Sequence, residues 1–172
     1  SFMRQPLLIG HYRSLRLSGT EYVVNKLVGG AMENSLKVGL YPVPPGTHQV
    51  FVNTHADPNN PWQPPRPRAV IVVGLGEEGK LSPTDLVHSV RQATIAWAQQ
   101  SAETSADAPA LISIAATLIG SGGAGISVGQ SAQLVAQGVR EADDRLRESN
   151  ESEAREREAG GNPPPARRWP RI

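Results

Sequence analysis

The stretch from Ala110 to Val139 constrains the fold of this chain more than any other. It opens on a largely apolar run, ALISIAATLIG, of the kind a buried strand requires. A glycine-rich turn, GSGGAGISVG, follows, and then QSAQLVAQGV, whose apolar residues fall on one side of a helix. Strand, glycine loop and helix start in succession make a ready anion site. The first amides of a helix have no intrahelical acceptor, and the helix dipole favours negative charge there.

Composition narrows the classes. The 172 residues are enough for one domain with an appendage and a core of ordinary size. The 17 glycines and 15 prolines gather mostly in patches, as expected of a compact domain with irregular segments. A net charge of +1 supplies no global pull toward nucleic acid or an anionic membrane. With no cysteine, disulfides, thiolate zinc sites and thiol nucleophiles are excluded. No apolar run approaches the roughly 18 residues of a membrane span, and no signal-peptide core opens the chain. A cytoplasmic location is the default expectation. Ser1-Phe2 ahead of Met3 has the look of a cloning remnant, so the chain reads as a piece of a larger polypeptide.

Taken in order, residues 6–10, 48–53, 69–74 and 110–119 read as strands. Ala69-Val70-Ile71-Val72-Val73 is nearly all β-branched, which suits a strand buried on both faces. Tyr22, Val23, Leu27 and Val28 have helical spacing, and Gly29-Gly30 should end that helix, with a second short one reaching Leu36. Residues 57–68 carry five prolines and read as a surface loop. Ser82-Pro83-Thr84-Asp85 supplies a capping serine, a proline at the first helical position and an acid two residues on. Leu86, Val90, Ala93 and Trp97 then continue one apolar face. A last helix starts near Ile126 or Ser127, runs beyond Asp143 and loses its apolar face past Leu146. The alternation predicts an α/β fold: three layers, a mostly parallel (mixed) sheet and helices on both faces. Residues 1–148 form the domain, and 149–172 read as a charged helix extension followed by a Pro/Arg-rich flexible linker.

Ligands of such sheets sit at the carboxyl ends of strands. Two glycine loops leave from such ends, at 74–79 and 120–129. Gly74-Leu75-Gly76-Glu77-Glu78-Gly79 formally matches G-x-G-x-x-G, but the helix cap comes later, at Ser82, and two glutamates would face a pyrophosphate. Gly125-Ile126-Ser127-Val128-Gly129 matches the G-x-S-x-G hydrolase elbow. All four histidines (His11, His48, His55, His88) precede Ser127, however, and the apolar strand stops well before it. N-capping is the better role for Ser127. Gly120-Ser121-Gly122-Gly123-Ala124-Gly125 lets backbone approach a ligand closely, and its consecutive amides can form an anion nest. It lacks the Gly-Lys-Ser/Thr ending of a phosphoryl-transfer loop. The histidines show no metal-ligand spacing, and Arg167-Arg168-Trp169 with Arg171 is a weak nucleic-acid signal.

VIVVGLGEEGKLSPTDLVHSVRQATIAWAQ (70–99) resembles the strand–GLG–helix segment of the N-terminal domain of leucine aminopeptidases. That domain is similar in fold to macro domains, the ADP-ribose-binding α/β modules. LIGSGGAGISVGQSAQLVAQGV (118–139) resembles the macro-domain loop that wraps a diphosphate. Residues 10–30 and 39–53 resemble segments of large bacterial proteins that carry a caspase-like CHAT domain. The metal-binding catalytic half of an aminopeptidase is absent, and so is the cysteine a CHAT protease needs. The resemblance therefore implies a macro-like accessory or regulatory domain of a larger bacterial protein, without catalytic residues, metal or cofactor. It implies a nucleotide or phosphate ligand on Gly74 and Gly76 and on the loop Gly120, Ser121, Gly122, Gly123, Ala124, Gly125, Ile126 and Ser127. Its expected partners are other domains of the same polypeptide, with no membrane and no nucleic acid. An ADP-ribose-binding module and a serine or ADP-ribosyl hydrolase are the alternatives.

Overall fold

The computed structural model describes residues 5–55, 59–104, 111–121, 125–160 and 169–172. Their order is β1 (Leu7–Tyr12), α1 (Thr20–Leu27), α2 (Ala31–Lys37), β2 (His48–Val52), β3 (Ala69–Gly76), α3 (Pro83–Thr104), β4 (Ala115–Ala116) and α4 (Val128–Glu158). The sheet runs β2-β3-β1-β4, with β1 parallel to β3 and β4 and only β2 antiparallel.

Strand β3 explains the three layers. Ala69, Ile71, Val73 and Leu75 join a cluster with Leu86, Val90 and Trp97 of α3 and Val135 and Leu146 of α4. Val70 and Val72 point the other way, into a cluster with Val24 and Val28 at α1, Met32 of α2, Tyr41 and Phe51. The period-2 alternation of a strand thus feeds both faces, and each fully buried Val or Leu contributes about 1.5–3 kcal/mol.

The caps fall where the sequence places them. Ser82 Oγ accepts from the Asp85 amide at 3.1 Å and donates to its carboxylate at 2.6 Å. Ser127 Oγ accepts from the Gln130 amide at 3.2 Å. Gly29 and Gly30, at φ 65° and 81°, separate α1 from α2.

The fourth strand is shorter than expected. Ala110 lies outside the described residues, and of 111–119 only Ala115–Ala116 joins the sheet, against Leu7 and Leu8. The ladder stops because Ile119 donates to the Thr117 carbonyl at 2.9 Å, a three-residue turn that bends the chain out of register. At the other end, α4 continues through the charge-dense segment to Glu158, and Trp169–Ile172 lies back against the body, where Leu111 bridges Arg171.

Candidate functional site

The tip of β1 is the centre of the site. Its register against β3 shifts between His11 and Tyr12, a local irregularity after which Tyr12 pairs with Gly76 and the Arg13 amide donates to the Gly76 carbonyl at 2.7 Å. A cleft of 460 Å³ opens there, bounded by β1, the start of α1 (Ser18, Thr20, Glu21), Leu75 and Glu78 after β3, and Thr117–Gly120 after β4. That volume is in the range of small-molecule sites. Gly10 lets the walls close beneath it: a Cβ there would stand 2.6 Å from both Ile119 and Leu75. Tyr12 donates to the Gly120 carbonyl at 3.4 Å and so ties β1 to the loop after β4. Gly120 takes φ 80°, a conformation that a side chain would strain.

A buried polar cluster supports one wall. His11 is 1% exposed, and its Nδ1 donates to Glu21 Oε1 at 2.9 Å. Tyr41 donates to the same oxygen at 3.0 Å, with its ring edge-on to the imidazole at 4.7 Å between centroids. Burial, then the Glu21 charge and hydrogen bond, push the Tyr41 phenol far above its ordinary range. His11 Nε2 is buried without a protein hydrogen-bond partner. Glu21 belongs to the first turn of α1, whose N-cap Gly19 has no side chain to bond the turn; the Glu21 amide donates to the Ser18 carbonyl at 3.1 Å.

The charge on the lining is mixed. Burial, then Glu78, raise the Tyr12 pKa, so its phenol stays a donor at ordinary pH. The Lys80 hydrogen bond and charge hold Glu77 below the usual carboxylate range, with Arg13 adding less. Arg13 and Glu77 stand 3.8 Å apart and both are exposed, a pair too weak to withhold the guanidinium from a ligand anion.

Of the residues the sequence singled out, Gly120 lines this cleft. Ser121 closes a turn through its hydroxyl to the Leu118 carbonyl, Ile126 is turned into the core, and Ser127 is the helix cap. Gly122, Gly123 and Ala124 lie outside the described residues, and Gly125 has φ 122° with open space around it. Gly74 and Gly76 are not among the residues that line this cleft. Gly74 and Gly76 face Val43–Thr47, where a Cβ on Gly74 would run into the Pro44 carbonyl and Thr47. The reason is topological: β1 sits between β3 and β4, so the β3 loop reaches the cleft through Leu75 and Glu78 instead. The elbow reading of Ser127 gains no histidine, since His11 is held by Glu21 and His88 lies beside Arg91. His11 and Tyr12, neighbours at the strand end, line the cleft too, whereas sequence reasoning missed Ser18, Thr20 and Glu21. The signal for Thr20 and Glu21 was Gly19-Thr20-Glu21, a helix opening just after a strand end.

A roomier opening, 670 Å³, lies at the opposite pole, against Pro6, Arg68, Trp97, Leu111 and Ile112. Its size does not decide the matter. It faces the amino ends of the parallel strands, whereas the smaller cleft lies where carboxyl strand ends, Gly120 and the start of α1 meet.

Among the described residues, no three His, Asp or Glu side chains come together as a metal site, and no helix is long and apolar enough to cross a membrane. No protein-family model and no curated protein matches the sequence. The fold is similar to the macrodomain of Mycobacterium tuberculosis DarG, with a TM-score of 0.57 at 13% identity over 82% of this chain and 86% of that one. The architecture is macrodomain-like.

Proposed function

We propose that the chain is a nucleotide-binding module of the ADP-ribose class, and that the ligand sits in the cleft at the tip of β1. The observation that carries this reading is the meeting of three parallel strand ends, the first turn of α1 and Gly120 around one 460 Å³ space. The macrodomain-like fold supports it. The lining also favours a nucleoside over a bare anion. Glu78 accepts hydrogen bonds, as ribose hydroxyls require, and repels phosphate, so the diphosphate belongs with backbone amides at the Gly120 loop and with Arg13. His11 Nε2 is a buried polar atom beside this space that a ligand can satisfy.

The module binds rather than converts its ligand. Ser127, the residue that a hydrolase elbow would use, is committed to capping α4. We further propose an accessory role within a larger bacterial polypeptide, on the resemblance of residues 10–30 and 39–53 to segments of CHAT-carrying bacterial proteins. Isothermal calorimetry tests the reading: saturable heat with ADP-ribose and none with pyrophosphate is expected. Silence with both at millimolar concentration contradicts it, and turnover of ADP-ribosyl substrates would restore the hydrolase alternative.

A further inference from the structure

Trp169–Ile172 lies extended between the chain edge at Leu111–Ile112 and one face of α4. On the edge side, Leu111 and Arg171 form a parallel bridge, and the Ile112 amide donates to the Arg171 carbonyl at 2.8 Å. On the helix side, Asn150 grips one residue from both directions. Its Oδ1 accepts from the Trp169 amide at 2.8 Å, and its Nδ2 donates to the Trp169 carbonyl at 3.0 Å. Asp143 accepts from the Ile172 amide at 2.9 Å and faces the exposed Arg171 guanidinium at 3.4 Å. The side chains of Trp169 and Ile172 are partly buried and pack onto the core cluster that α3 and α4 share with the sheet.

The spacing of these grips is that of an extended peptide. Asp143 and Asn150 are two helical turns apart on one face, about 10.5 Å along the axis. Trp169 to Ile172 spans three extended steps, about 10 Å. Helix and segment therefore stay in register, and what they recognise is mostly main chain, which any sequence supplies. Specificity comes from the two apolar side chains and the cation between them.

We propose that this groove is a peptide-recognition site in which Trp169–Ile172 is a resident, exchangeable occupant. The partner it fits is an extended segment with bulky apolar residues at i and i+3 and a basic residue at i+2. The mode is addition of a strand to an exposed edge, reinforced by side chains of the covering helix. A tethered occupant competes with a free peptide as an intramolecular ligand. A partner peptide is therefore read most clearly where the resident segment has been weakened.

The test uses the full chain and a labelled, amidated peptide of residues 166–172. Fluorescence anisotropy should show the peptide binding the Trp169→Gly/Ile172→Gly chain at least tenfold tighter than the native chain, and Asn150→Leu in that background should remove the binding. Circular dichroism checks that these variants keep the native helix content. In the native chain, millimolar peptide should move the Ile172 amide resonance to its free position. No binding to the weakened chain, binding indifferent to Asn150→Leu, or an unmoved Ile172 resonance overturns the proposal. Concentration-dependent dimerisation of the native chain that Asn150→Leu abolishes would give the groove to a second copy and overturn the partner assignment.

Discussion

The Tyr41 phenol donates at 3.0 Å to the one oxygen of Glu21 that also receives the His11 ring. Because burial and the Glu21 charge raise the Tyr41 pKa, the folded state holds that proton more tightly than the unfolded chain does. Stability from this group is complete below pH 10 and is lost as pH rises through the folded pKa. Denaturant melts between pH 9 and 11 should lose stability at up to about 1.4 kcal/mol per pH unit above pH 10 from this group, and Tyr41→Phe should remove that component. An alkaline slope identical in native and Tyr41→Phe chains contradicts this.

Replacing Glu21 itself strands two buried donors. Glu21→Leu should cost roughly 3 kcal/mol, because unmade hydrogen bonds inside a protein are expensive and this one oxygen serves two partners. Urea unfolding at neutral pH measures it. A loss below about 0.5 kcal/mol, the scale of a neutral surface change, would mean that the cluster contributes little.

The contact between α3 and α4 depends on Gly138. A Cβ there would stand 2.8 Å from the Val90 side chain and 2.9 Å from the Val87 carbonyl, and the latter is backbone that cannot step aside. Gly138→Ala should therefore destabilise by about 1–3 kcal/mol despite the better helix propensity of alanine. A higher melting temperature in this variant would show that the helices have room to spare.

Much of this fold was legible because its signals are local. The β-branched run at 69–73 reads as a strand buried on both faces, and it is one. Ser82 and Ser127 announce helix starts by their own hydrogen-bonding chemistry. The fourth strand was overread because an apolar run records burial and not pairing: Ile112 and Ile119 are buried without joining the ladder, and a turn at Thr117 ends it. The site was half legible. Strand ends and the Gly120 loop follow from element order, but strand order does not, and it is β1 lying between β3 and β4 that separates Gly74 from Gly120. His11 read as an ordinary polar residue because its partners, Glu21 and Tyr41, belong to other elements.

Blocking the cleft should abolish binding without harming the fold. Ser18 is exposed and lines the opening, so Ser18→Trp fills it from the solvent side. Calorimetry should show ADP-ribose affinity reduced at least tenfold, about 1.4 kcal/mol, with an unchanged melting temperature. Equal affinity in native and Ser18→Trp chains would place the ligand elsewhere.

Backbone amide shift mapping with ADP-ribose decides where the ligand sits, because the two openings lie at opposite ends of the same sheet. Saturable shifts should concentrate at Tyr12, Arg13, Thr20, Glu78 and Gly120, with the amides of Trp97, Leu111 and Ile112 unmoved. Shifts centred on Trp97, Leu111 and Ile112, or none at saturating ligand, would contradict this placement.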